Sequence, residues 1–171
     1  VMVVGALSGA PVGAEKAMAA CQKSGKSKVI VVNQMDRENA NFEKALKTIS
    51  DRYGSMVAPI ELPIMEKGQF VGVVCVLENK AYTGEGKTRK EIPIPASMAD
   101  EVAAAHDAIM EAAAAADEEL MEKYFENMEL SDEDTLRGLC KGTRTGVVVP
   151  VLCYSAINRL GSGKLLENPR K

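Results

Sequence analysis

The chain has 171 residues, a formal net charge of −3, four cysteines and no tryptophan. That length suffices for one ordinary domain, or for two small lobes that share a core. The mild acidity argues against a large nucleic-acid face, which needs clustered Lys and Arg, and no apolar run reaches the roughly 18 residues of a membrane span.

In chain order, "VMVVG" is a short continuous apolar run, as expected of a strand buried on both faces. "GAEKAMAACQKSG" reads as a helix stopped at Gly25. "KVIVVN" is a second buried strand, and "NANFEKALKTISDRYG" a helix with Phe42, Ala45, Leu46 and Ile49 on one face. Strand and helix alternating in this way predict a parallel, doubly wound α/β sheet.

From Val57 to Pro95 the character changes. "VAPIELPI", "FVGVVCVLENKAY" and "KEIPIP" are extended segments separated by turns, predicting a small antiparallel or mixed sheet. A long helical stretch, "ASMADEVAAAHDAIMEAAAAADEELMEKYFEN", follows, with a break expected near Ala116 and Asp117. "SDEDTLRGLCKG" is a further helix with Ser131 as its N-cap. "GVVVPVLCYSA" returns to a buried parallel-type strand, and "GSGKLLENPRK" holds at most a short helix closed by Pro169. The pattern divides into a sheet-forming part at 1–56, an inserted α+β lobe at 57–145, and a return to the first sheet at 146–171.

Two stretches imitate a phosphate-binding loop. In "AYTGEGKT" the motif ends on Gly86, Lys87 and Thr88, but Pro93 and Pro95 follow too closely for the helix whose N-terminus would hold phosphate. The expected structure is a hairpin turn, which sets aside a kinase or ATPase built on Lys87 and Thr88. "GSGKLL" places Leu165 where the motif needs Ser or Thr. The cysteines Cys21, Cys75, Cys140 and Cys153 are scattered without a CxxC spacing and read as reduced core thiols of a cytoplasmic protein. No signal-peptide pattern is evident, His106 lacks partners at metal-ligand spacing, and Met110, Met121 and Met128 suit core filling.

The chemically informative stretch is "VIVVNQMDRENANF". Asn33 and Asp36 fall where a parallel strand ends, which is where open α/β sheets bind ligands. A carboxylate there can accept from the ring N–H and the exocyclic amine of guanine, whereas adenine offers an acceptor and a bare C–H. Asn33 can bond the other edge of the base and tie loops together. The plainer alternative is an Asn-x-x-Asp turn that caps the next helix. "LCYSAINRLG" follows the last strand, which places Ser155 and Ala156 at the same end of the same sheet. A backbone N–H there could bond the guanine carbonyl, and the small side chains leave room for a base.

"VNQMDRENANFEKAL", "IELPI", "FVGVVCVLENKAYTGEGK", "KEIPIPASM", "EELMEKYFENMELSDEDTLRGLCKGT" and "VVPVLCYSAINRLGSGKLL" together resemble bacterial elongation factor G. The resemblance runs through almost the whole chain in order and includes the lobe between the two guanine motifs; elongation factor Tu and the tetracycline-resistance GTPases lack that lobe in this form. It implies part of a P-loop GTPase domain with its inserted G-prime subdomain, from a protein that uses GTP, GDP and Mg2+ in ribosomal translocation. It also implies guanine contacts from Asn33, Gln34, Asp36, Ser155 and Ala156, with catalytic and metal-binding residues outside the chain. The phosphate loop, switch segments and water-positioning histidine are expected before Val1, so the 171 residues alone are expected to be inactive. Base contacts worth about 4 kcal/mol would give only roughly millimolar GTP binding.

Two departures from the family are plain. Gln34 stands where the motif has lysine, and Gly5 and Ala6 stand where a polar residue is usual, which fits a paralogue. The resemblance further implies that the inserted lobe meets the ribosomal stalk protein, with Glu101, Asp107, Glu111, Glu118 and Glu122 available to steer a basic surface. A solvated helix face is the plainer reading of those charges. The other functional alternative is a non-hydrolysing ribosome- or stalk-binding module whose guanine site is degenerate at Gln34. Without a preceding strand, the edge of Val1–Val4 is expected to form a dimer or crystal contact, or to fray.

Overall fold

The computed structural model describes residues 1–9, 12–84 and 88–161. Its elements are strand β1 (Met2–Gly5), helix α1 (Val12–Lys23), β2 (Ile30–Asn33), α2 (Phe42–Tyr53), β3 (Val57–Pro59), β4 (Glu61–Glu66), β5 (Gln69–Cys75), β6 (Lys80–Thr83), β7 (Lys90–Ile92), α3 (Ala99–Ala114), α4 (Glu118–Asn127), α5 (Asp132–Thr145) and β8 (Val149–Cys153). The fold is α/β, with one four-stranded parallel sheet in the order β1-β2-β8-β3 and a separate antiparallel sheet in the order β4-β5-β6-β7.

The parallel sheet forms because its inner strands are apolar on both faces. Ile30, Val31 and Val32 of β2 are buried, as are all five residues of β8. β2 pairs with β8 through Val31 and Leu152, which brings the ends of both strands to one rim. Among the described residues β1 pairs only with β2, and Val3 on it is 62% exposed, so one edge of the sheet they form is apolar and open. Asn41 caps α2 by accepting from Lys44 N at 2.8 Å, while Phe42, Ala45 and Ile49 face inward. Leu46 is only partly buried, at the margin of that face.

The lobe boundary expected at 57 is corrected. Val57–Pro59 is β3, fully buried and paired in parallel with Val149–Val151 of β8, so it belongs to the first sheet. The second sheet starts at Glu61, and Ile60 is the joint. Its N–H donates to Val151 O and its carbonyl accepts from Val76 N, both at 3.1 Å. The core continues through this joint from one sheet to the other. Glu61, 1% exposed, lies close enough to Cys153 that its charge, after burial itself, pushes the thiol pKa well up.

β6 and β7 are antiparallel, with Thr83 opposite Lys90, so the chain beyond Thr88 is extended. Among the described residues no α-helix opens directly after the first imitation of a phosphate loop, and α3 begins only at Ala99. Glu85, Gly86 and Lys87 lie outside the described residues, as do Ala10 and Pro11. So does the whole of 162–171, which holds the "GSGKLL" motif and the short helix expected there.

The long helical stretch breaks where expected. Asp117 caps α4 by accepting from Glu119 N, and Ser131 caps α5 by accepting from Asp134 N, both at 3.1 Å. α5 runs on through Gly142 to Thr145, beyond the expected stop. Gly142 serves packing rather than termination: a methyl group there would overlap Val148 Cγ2 and lie 2.8 Å from Ala116 Cβ. Gly146, at φ 77°, ends the helix instead. Among the described residues no helix is long and apolar enough to cross a membrane, and the cysteines form no disulfide, with Cys75 and Cys153 buried and Cys21 and Cys140 partly so.

Candidate functional site

Three parallel strands deliver their C-terminal ends to one rim: Gly5 from β1, Asn33 from β2 and Cys153 from β8. Backbone hydrogen bonds stitch the loops that follow. Ala6 N donates to Asn33 O at 2.9 Å, Tyr154 N to Val32 O at 2.9 Å, and Met35 N to Tyr154 O at 3.3 Å. The rim is therefore held in place before any ligand contributes.

Side chains complete it. Ala156 N donates to Asn33 Oδ1 at 3.1 Å. The Ser155 hydroxyl donates to Asp36 Oδ1 at 2.5 Å and accepts from Asn158 N at 3.1 Å. Ser155 is fully buried, Asp36 half-buried, and Ala156 exposed. The four residues Asn33, Asp36, Ser155 and Ala156 thus converge, as the sequence leads one to expect. The capping alternative fails, because Asn41 caps α2 and Asp36 bonds Ser155 instead.

One detail differs from expectation. The amide proposed for the guanine carbonyl is already engaged in this arrangement: Ser155 N donates to Leu160 O, and Ala156 N to Asn33 Oδ1. A base carbonyl would have to share or displace the Asn33 contact. Asp36 Oδ2 accepts no hydrogen bond from the described residues, so one carboxylate oxygen remains for a ligand, and Oδ1 keeps a second lone pair.

Gln34 is exposed and held at φ 67°, in the left-handed region. Its Oε1 lies over the end of β1, where a methyl group on Gly5 would approach it to 3.1 Å. Gly5 and Gln34 are therefore spatial neighbours, and Gly5 leaves the room that the Gln34 side chain occupies. Sequence reading missed this pairing. It also missed the Ser155–Asn158 turn, although Ser followed by Asn is a usable turn signal. Ile157, 76% exposed beside Ala156, is a further apolar surface at the rim.

The five acidic residues assigned to a partner surface do not share one face. All are exposed, but Glu101 faces α2, where it contacts Glu43. Asp107 instead lines a groove with His106, Glu78 and Asp132. Glu118 and Glu122 belong to α4. The neighbouring carboxylates Asp117, Glu119 and Asp134 are tied to Lys141, Lys123 and Arg137 across the α4–α5 pair.

A concavity of about 970 Å³ lies beside this rim rather than in it, between α2, β4 and α3. Met35 and Asn41 contribute to its wall, so it shares the Asn33–Asn41 loop with the rim.

No protein-family model matches the chain. Among solved structures it is similar to the crystal structure of a protein from Thermus thermophilus, at 30% identity and a TM-score of 0.85. That likeness covers 96% of this chain and 25% of the Thermus chain. The chain thus spans about a quarter of the length of the protein it matches, and the likeness takes in both sheets.

Proposed function

We propose that the chain is the guanine-recognising part, with an inserted lobe, of a GTPase of the elongation factor G type that works on the ribosome in the cytoplasm. The observation that carries this reading is the convergence of Asp36 and Ser155 across 119 residues of sequence, at the C-terminal rim of parallel strands. The Ser155 hydroxyl fixes one carboxylate oxygen, which orients the other toward a ligand carrying adjacent N–H donors. Guanine has that pair and adenine lacks it. A mismatch leaves the carboxylate without its donors, which is the kind of loss that gives strong discrimination.

GTP and GDP are the ligands in this reading. Their phosphates and Mg2+ belong to segments other than the residues of this chain, whose share of the ligand is the base. Asn33 and the backbone of Ala156 border the edge of the base that carries its carbonyl, and Gln34 offers an uncharged stem where a lysine is usual. Uncharged coverage predicts weaker retention of nucleotide, not a changed base preference.

The inserted lobe supports a role as a partner surface. Residues 61–145 carry 18 acidic against 9 basic side chains, so an excess of negative charge is concentrated there. Such a lobe fits a basic partner, with the ribosomal stalk protein as the proposed one.

The test is an exchange of base preference. Asp36→Asn in the protein that contains this chain should move binding from guanine to xanthine nucleotides, because an amide donates to the 2-oxo group that replaces the amine of guanine. Competition between GDP and XDP for a fluorescent nucleotide reads it directly. An unchanged preference for GDP would remove Asp36 from the site.

A further inference from the structure

We infer that the groove between α2, β4 and α3 binds a small amphipathic organic cation, an amine or guanidine on an apolar body. The groove is about 970 Å³, within the upper range of small-molecule sites. Phe42 and Leu46 of α2, Leu62 and Ile64 of β4, and Met98 beneath α3 provide an apolar wall. The wall is formed by elements of both sheets, and such junctions are where ligand clefts concentrate.

The rim of the groove sets the charge of the occupant. Glu43 on α2, Glu66 at the end of β4 and Glu101 on α3 all border it, and the residues that line it include no Lys, Arg or His. The Glu101 carboxyl lies in contact with that of Glu43. That contact, followed by partial desolvation, raises the Glu101 pKa above its ordinary value. An ammonium or guanidinium group placed at the pair would donate to both carboxylates. The apolar body would then lie along Phe42, Leu46 and Met98. An anion is opposed by three carboxylates, and a purely apolar molecule would leave the pair as it is.

This site is separate from the guanine rim, and its test does not depend on that reading. Titration of the protein with n-hexylamine, with n-hexanol and hexanoate as controls, is followed by backbone amide shifts. Hexylamine should bind saturably, with its largest shifts on α2 and α3 around Glu43 and Glu101. Glu43→Gln combined with Glu101→Gln should weaken it by about tenfold or more, the loss expected for charge-assisted hydrogen bonds. Both side chains are at an exposed rim, so the double variant should fold; Ala104→Phe, which fills the groove and keeps the carboxylates, should block binding independently. Hexanol binding as tightly as hexylamine would overturn the proposal. So would hexylamine binding that neither variant changes, or no saturable binding at all.

Discussion

Asn33 Oδ1 and Ala156 N are 123 positions apart in sequence and 3.1 Å apart in the fold. The contact joins the loop after β2 to the loop after β8 with a single side chain. Asn33→Ala should leave the amide of Ala156 without its partner and cost about 1 kcal/mol of stability. Hydrogen exchange at Ala156 should accelerate while exchange within β2 and β8 stays slow. Unaltered exchange at Ala156 would show that the contact is not formed in solution.

Ser155 is the more demanding position, because its buried hydroxyl serves two partners. Ser155→Ala removes the donor to Asp36 Oδ1 and the acceptor for Asn158 N. A carboxylate that loses a charge-assisted bond, plus an amide that loses its acceptor, should cost about 2 kcal/mol. Urea denaturation measures that loss. In the proposed guanine site the same change should weaken nucleotide binding more than Asn33→Ala does, because Asp36 is then free to rotate.

The legible parts of this chain were those fixed by local chemistry. β2 and β8 announce themselves as short apolar runs, Asp117 and Ser131 as caps, and Pro93 with Pro95 as a bar to a helix after Thr88. β3 was misassigned to the inserted lobe because "VAPIELPI" is extended throughout, and local pattern carries no information about which sheet receives each half. Pairing with β8, far downstream in the chain, decides it. The convergence of Asn33, Asp36, Ser155 and Ala156 was legible because both stretches follow strands of one parallel sheet. The Gly5–Gln34 packing and the Glu43–Glu101 pair were not, since each joins separate elements without a periodic signal.

Two glycines separate packing from helix propensity. Gly142 lies inside α5 against Val148 and Ala116, whereas a methyl group on Gly13 in α1 meets nothing within 4 Å. Alanine gains as much as about 1 kcal/mol over glycine in a helix, but forced overpacking costs about 1–3 kcal/mol. Gly142→Ala should therefore destabilise and Gly13→Ala should be neutral or mildly stabilising. Opposite shifts in melting temperature check the pair; a stabilised Gly142→Ala would mean that α5 can move away from Val148.

The open edge of β1 carries a consequence for association. Val1 and Val3 are 72% and 62% exposed, and among the described residues β1 has a strand neighbour on one side only. Unpaired backbone beside apolar side chains favours edge-to-edge pairing. A chain of these 171 residues should form dimers that dissociate on dilution, and Val3→Lys should abolish them. Sedimentation velocity across a concentration series reads both; a monomer at every concentration would mean that this edge does not self-pair.

The cap of α4 should report its ion pair through pH. Asp117 accepts from Glu119 N and from Lys141 Nζ at 2.7 Å, and the Lys141 hydrogen bond is the main cause that holds its pKa below the ordinary value. Because the folded pKa is lower than the unfolded one, the folded state favours the ionised form. The resulting stabilisation is fully present above the unfolded value of about 3.9 and is lost as pH falls through the lower folded value. Asp117→Asn retains a competent cap, since Asn is as good there as Asp, but loses the charge. The stability difference between the two proteins should thus be constant near neutral pH and shrink toward zero in acid. Urea midpoints for both proteins, measured at a series of pH values, test this; a difference that persists in acid would assign it to cap geometry instead of the Lys141 pair.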